Sequence, residues 1–141
     1  MISHVSIGIQ DFDKSYVFYS ALMNELGLVL KFKDADKPWA GWMAADQPRP
    51  LFVIGKPYNG EPAQHGNGQM VALLAASRAT VQRAYETALA NGGTCDGPPG
   101  LRLHYHPNYY GAYFRDPDGN KLCVCCHHSE AEASTESIRL S

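Results

Sequence analysis

Tyr109-Tyr110-Gly111-Ala112-Tyr113-Phe114-Arg115-Asp116-Pro117-Asp118-Gly119-Asn120-Lys121-Leu122-Cys123-Val124-Cys125-Cys126-His127 reads as two strand-forming runs joined by a tight Asp-Pro-Asp-Gly turn. Proline sets φ at the second turn position, and glycine permits the positive φ that completes the reversal. A β-hairpin is therefore predicted. Alternation along the second strand puts Cys123, Cys125 and His127 on one face and Leu122, Val124 and Cys126 on the other. One face is expected to meet the core, and the other to line a cavity.

At the other end of the chain, residues 2–9 alternate in the same way, with Val5, Ile7 and Ile9 opposite His4, Ser6 and Gly8. Asp11 is a good helix N-cap, and Phe12, Tyr16, Tyr19, Met23 and Leu26 follow at helical spacing up to a C-terminal Gly27. A helix over about 12–25 is predicted. Three strands are predicted after it, at Leu28–Phe32, Trp39–Ala44 and Leu51–Ile54, with Asp46–Pro50 as a turn. Gly55–Gly68 is rich in glycine and proline and is read as a linker.

Beyond the linker the pattern recurs. Shifting the first half by 66 positions places Val5 on Val71, Ile7 on Leu73, Tyr19 on Tyr85, Met23 on Leu89 and Gly27 on Gly93. A duplicated βαβββ module explains this phase match. The predicted fold is α+β, with two tandem βαβββ modules forming a cup-shaped mixed sheet. Their bounds are about 1–56 and 67–128, with a linker over about 57–66 and a polar tail over 129–141. Thr94–Asp96, a Gly-Pro-Pro-Gly loop and an extended Leu101–His106 complete the second module. The two modules are expected to bury their helix-facing sides separately and to enclose a cavity between them.

The 141 residues are 45% hydrophobic and 18% charged, with a net charge of -2. This suits a globular chain with neither a nucleic-acid footprint nor a membrane span. The strand pattern from Ile2 leaves no room for a secretory signal. Cys95, Cys123, Cys125 and Cys126 do not form a disulfide framework and are read as free thiols of a reducing, cytoplasmic compartment.

The aromatic strand, Arg115-Asp116-Pro117-Asp118-Gly119-Asn120 and the apolar strand after it resemble the last hairpin of the vicinal oxygen chelate superfamily. That group includes glyoxalase I, extradiol dioxygenases and bleomycin-binding proteins. His4-Val5-Ser6-Ile7-Gly8-Ile9, Asp11 and Phe18-Tyr19 are similar to its opening strand and helix. The resemblance spans roughly 1–127 and implies the same two-module fold and a homodimer. It also implies four metal-ligand positions, which fall on His4, Met70, Cys123 and either Phe52 or Val53. Histidine and glutamate, usual in the family, are thus replaced by Met70 and Cys123. A hard divalent ion wants oxygen ligands, whereas His4, Met70 and Cys123 would suit a softer metal. A divalent or soft metal ion is accordingly possible but not favoured.

Other candidates come from the residues themselves. On an extended segment, His104 and His106 share a face and present two acid/base groups. Tyr110, Tyr113, Arg115, Cys123, His4, His104 and Trp42 are the expected ligand contacts, and Trp39 is a further aromatic wall. Cys123 or Cys125 beside His4 or His104 is a possible nucleophile, although no cation to lower a thiol pKa is evident in the sequence. These residues support three functional readings. The leading one is a divergent family member that binds a small molecule, with catalysis unproven. The alternatives are a metal-dependent lyase, isomerase or dioxygenase acting on vicinal oxygens, and a soft-metal or redox sensor using Cys123, Cys125 and Met70.

Overall fold

The computed structural model describes residues 1–34 and 36–130; most of the sequence-predicted tail lies outside them. The element order is β1 (His4–Gly8), α1 (Phe12–Glu25), β2 (Leu28–Asp34), β3 (Trp39–Ala44), β4 (Gln47–Gly55), β5 (Val71–Leu74), α2 (Arg78–Ala90), β6 (Thr94–Leu101), β7 (Tyr110–Arg115) and β8 (Lys121–Cys126). These form two four-stranded mixed sheets, β1-β4-β3-β2 and β5-β8-β7-β6. In each, the first strand runs parallel to the last strand of its own module. The duplicated βαβββ plan is therefore present. No described helix is long and apolar enough to cross a membrane.

Local chemistry sets the helix limits. The Asp11 side chain accepts from the Lys14 amide, and the Ser77 side chain accepts from the Thr80 amide. Two strands differ from the sequence reading. The structure begins β4 at Gln47, so residues 47–50, expected as turn, are strand. Pro48 and Pro50 sit before its paired run with β1, which opens at His4↔Leu51, where a missing N–H breaks no ladder bond. The Gly-Pro-Pro-Gly segment likewise lies inside β6 rather than between strands. As β6 is an edge strand, register shifts around Gly97 and Gly100 absorb Pro98 and Pro99. The chain then turns through 102–109, so the extended segment expected at Leu101–His106 does not form.

Alternation decides what faces inward. Phe52 and Ile54 of β4, Ala112 and Phe114 of β7, and Leu122, Val124 and Cys126 of β8 point to the helices. They pack with Phe18, Tyr19 and Leu22 of α1 and with Val81, Ala84 and Ala88 of α2 in one continuous core. The separate burial expected for each module is thus replaced by a shared core, with α1 against α2. Arg83 and Thr87 of α2 both reach Glu25 of α1, at 3.6 and 3.2 Å.

The hairpin turn ties the modules together. Both oxygens of the buried Asp116 carboxyl are used twice. Oδ1 accepts the amides of Asp118 and Asn120, each at 2.9 Å, while Oδ2 accepts the Tyr19 hydroxyl at 2.6 Å and Asn120 Nδ2 at 2.8 Å. Four donors on one group call for the acceptor-only, ionised form. Asn120 Nδ2 also donates to the Gly8 carbonyl, and Asp118 accepts from the Gln10 amide and the Ser15 hydroxyl. Gly119 closes the turn at φ 89°, a conformation glycine adopts without strain. Burial, followed by the adjacent Asp116 charge, raises the Tyr19 pKa and keeps its hydroxyl a donor.

Asp116→Ala is expected to strand several buried donors at once and to cost about 3–5 kcal/mol in urea unfolding. Tyr19→Phe leaves the Asn120 amide on the same oxygen and is expected to cost about 1–2 kcal/mol. Equal losses for the two variants would mean that Asp116 does not organise the turn.

Candidate functional site

The helices cover one side of each sheet, which leaves the opposite, open faces for chemistry. On sheet 1 that face carries His4, Ser6 and Gly8 of β1 beside Leu51, Val53 and Gly55 of β4. Trp39 pairs with Gly55, and Gly41 with Val53. Small residues here leave room, and Phe32 fills part of it, its ring 4.5 Å from that of Trp39. A cleft of about 670 Å³ opens over Gly8, Val53, Gly55 and Trp39, with Lys37, Lys56 and Tyr58 at its rim. A second groove, about 360 Å³ and mostly apolar, runs between the modules from Val5 and Leu51 to Val71–Leu74.

On sheet 2 the open face carries Ala72 of β5, Cys123 and Cys125 of β8, and Gly111 and Tyr113 of β7. Tyr109 folds back over this face. Its hydroxyl lies 3.0 Å from the Tyr113 hydroxyl and 3.5 Å from Cys123 Sγ. Gly111 makes that approach possible, because a Cβ there would lie 3.0 Å from Tyr109 Cε1 and 3.5 Å from Cys125 Cβ. Cys125 Sγ lies 3.6 Å from His127 Nε2, and His127 Nδ1 lies 2.8 Å from His106 Nε2. The Arg102 guanidinium stands over the Tyr113 ring at 5.5 Å.

These neighbours separate the two thiols electrostatically. The Cys125 thiol, then the hydroxyls of Tyr109 and Tyr113 and the charge of Arg102, pull Cys123 down to about 7 against its burial. Cys125 moves strongly upward, first through Cys123 and then through burial, and so retains its proton. Burial is the leading cause of the raised pKa values of Tyr109 and Tyr113, which keep both phenols protonated as donors. The other titratable or charged groups around the pair are His127 and His106, Tyr105 and Lys121 beside Tyr113, and Cys126 behind Cys125. The adjacent β5 contributes Val71–Leu74 and no titratable group.

The sequence candidates therefore scatter. Cys123 and Tyr113 share one cluster, and His106 joins it through His127. His104 is exposed in the 102–109 turn, its ring 4.1 Å from Tyr105 rather than beside a thiol. Tyr110 belongs to the helix-facing side, where its hydroxyl accepts from Gln82 Nε2 at 2.8 Å. Arg115 is engaged by Asp96 at 3.2 Å and by the Gly119 carbonyl at 3.0 Å. Trp42 is buried between α1 and the sheet, 6.0 Å from the Tyr16 ring, while Trp39 is the tryptophan on the open face. His4 is exposed, with Nδ1 3.0 Å from Ser3 Oγ, and Met70 is exposed just before β5. Sequence reasoning missed Arg102, and it did not bring Tyr109 to Cys123 or His106 to His127, contacts that depend on how the 102–109 turn folds back.

The metal expected by resemblance can be tested against these side chains. His4 shares its face with Val53 and not with Phe52, so the first module offers one nitrogen and an apolar neighbour. The second module offers a thioether at Met70 and a thiol at Cys123. Among the described residues, no three His, Cys, Asp or Glu side chains are grouped as a metal site requires. This donor set does not fit a hard divalent ion.

Comparison with known proteins places the chain among relatives. The model of the Glyoxalase/Bleomycin resistance protein/Dioxygenase superfamily matches residues 1–124. A glyoxalase/bleomycin resistance protein from Albidiferax ferrireducens T118 is 39% identical, with a TM-score of 0.78 over 91% of this chain and 99% of that one. A family enzyme from Burkholderia phytofirmans PsJN shares the fold at 18% identity, with a TM-score of 0.69 over 89% of this chain and 98% of that one. A glyoxalase-related enzyme from Fulvimarina pelagi does so at 18% identity, with a TM-score of 0.68 over 89% and 87%. No curated protein matches the chain.

The ultraviolet absorbance of thiolate is expected to show a step centred at about pH 7 that disappears in Cys123→Ser. The anion forms as pH rises through that value and is lost below it. A step only in the ordinary thiol range would show that the surrounding donors do not stabilise Cys123.

Proposed function

The chain belongs to the Glyoxalase/Bleomycin resistance protein/Dioxygenase superfamily, and within that family we propose that it binds a small, planar, anionic molecule on the open face of sheet 1. The observation that carries this reading is the cleft of about 670 Å³ walled by Trp39. Its size lies within the usual range for small-molecule sites. Its floor is apolar, at Val53, Gly8 and Gly55, so a flat ring can lie against it beside the indole. Lys56 and Lys37 at the rim supply positive charge for a carboxylate or phenolate. Lys56 takes part in none of the ion pairs found among the described residues. The side chains at the family's metal positions favour binding over Lewis-acid chemistry, because they lack the oxygen donors such an ion prefers.

Trp39 is exposed and Trp42 is buried, so a ligand in the cleft quenches chiefly one indole. Titration with a series of aromatic carboxylates is expected to give saturable quenching that is absent in Trp39→Leu. Lys56→Ala is expected to weaken binding roughly tenfold for the anions and little for their amides. Equal binding of acids and amides would remove the anion from the reading.

The homodimer implied by the family belongs to the same proposal. It is supported by exposed Ile2 and Leu74, which flank the apolar groove between the modules. Light scattering is expected to give twice the 15.5 kDa of one chain, with Leu74→Lys shifting the mass toward the monomer. A monomer at all concentrations would exclude the pairing.

A further inference from the structure

One register row crosses the floor of the sheet 1 cleft, where Gly8 of β1, Gly55 of β4 and Trp39 of β3 lie side by side. The two glycines hold the space along this row open. A Cβ at Gly55 would lie 3.1 Å from Trp39 Cβ, and one at Gly8 would lie 3.7 Å from Pro57 Cγ and 3.6 Å from Ala63 Cβ. Trp39 therefore stands at the β3 end of the row, and the chain leaving β4 passes its β1 end at Pro57. Tyr58 comes next and lines the same cleft.

Tyr58 has a fixed backbone and a free side chain. The Gly60 amide donates to the Pro57 carbonyl at 3.0 Å, and Asn59 Oδ1 accepts the Glu61 amide at 3.0 Å. Further along, the Ala63 amide donates to Gln10 Oε1 at 2.8 Å, which ties the segment to the end of the first strand. The turn is thus held in place, while the Tyr58 ring is fully exposed and adds nothing to the core. An aromatic ring left in water at the mouth of an apolar cleft is available to cover what enters.

We infer, on the reading that this cleft is the binding site, that Tyr58 is its second aromatic wall and that the cleft selects a flat, conjugated ring over a puckered, saturated one. Neighbouring strands are about 4.8 Å apart, so roughly 10 Å separates β1 from β3 across β4. A ring in van der Waals contact on both faces takes about 7–8 Å. One ring fits between the indole and the phenol with its edge on the glycines. A chair-shaped ring of the same charge meets both walls through fewer atoms. Lys56 and Lys37 select the anion, and the paired aromatic faces select the ring. The two selections are independent, because one is made by charge and the other by shape.

Calorimetric titration of the full chain with benzoate and with cyclohexanecarboxylate, acids of one charge and similar size, tests this. Wild type is expected to bind benzoate the more tightly. Tyr58→Leu is expected to shrink that preference roughly three- to tenfold, with cyclohexanecarboxylate binding held within about twofold. Tyr58→Phe is expected to keep the preference. Because Tyr58 is fully exposed, the urea midpoint of each variant is expected to match wild type, which separates lost recognition from lost folding. An unchanged preference in Tyr58→Leu, with binding abolished in Trp39→Leu, would overturn the second wall and leave the cleft. A preference lost equally in Tyr58→Phe would place the effect in the hydroxyl and also overturn the wall. No saturable binding of either acid to wild type would overturn the cleft reading itself, and the wall with it.

Discussion

The buried Asp116 carboxyl holds the two modules in one arrangement. A buried charge is tolerated only when its lone pairs are engaged, and Asp116 engages them within the hairpin and, through Tyr19, across the boundary between modules. Tyr19 belongs to the first helix, whereas Asp116 and Asn120 belong to the last hairpin. Gly8, Gln10 and Ser15 are held by the same turn through Asn120 and Asp118. Docking the turn onto the β1–α1 junction fixes how the second sheet lies relative to the first helix. From there α1 can meet α2, and two small apolar faces become one core.

Once the helices cover the inner sides, strand alternation leaves each sheet one open face. The two faces have the same backbone and different chemistry. In sheet 1, Gly8, Gly55 and Gly41 clear space that Trp39 and Phe32 border, and the charges are on lysines at the rim. In sheet 2, one glycine, Gly111, clears space that Tyr109 itself fills, and the polar groups lie beneath the ring. The first arrangement is an open receptacle; the second is a closed network. Fold alone predicts neither.

Much of the fold could be read from the sequence because its signals are local. Asp11 and Ser77 mark helix starts, the Asp-Pro-Asp-Gly turn marks the hairpin, and phase matching at Val5/Val71 and Tyr19/Tyr85 marks the duplication. The misreadings fall where local signals mislead. Pro48, Pro50, Pro98 and Pro99 suggest loops, yet strand ends and edge strands tolerate them. For the site, alternation assigned Cys123, Cys125 and Cys126 to their faces. In β3, Trp39 and Trp42 fall in opposite phases, but both phases are apolar, so alternation alone does not choose the tryptophan that faces the helices. Arg102 and Tyr109 had no comparable signal. They reach the thiols because the chain turns back between β6 and β7, and that path depends on tertiary contacts.

The resemblance implies a carboxylate where this chain has Cys123, and a thiol there changes what the surroundings must provide. A carboxylate there would seek a hard cation, and the matching position of module 1 holds Val53, which has nothing to coordinate with. A thiol needs no metal, but its anion in a buried site needs donors. The second module places donors beside Cys123: the hydroxyl of Tyr109, whose ring Gly111 admits, then the hydroxyl of Tyr113, and the Arg102 guanidinium over the Tyr113 ring. The half-buried hydroxyls of Tyr109 and Tyr113 also satisfy one another, at 3.0 Å, beside the buried sulfur. Equivalent strand positions of the two modules thus carry an apolar side chain over an open cleft in one, at Val53, and a buried thiol beneath a tyrosine network in the other, at Cys123.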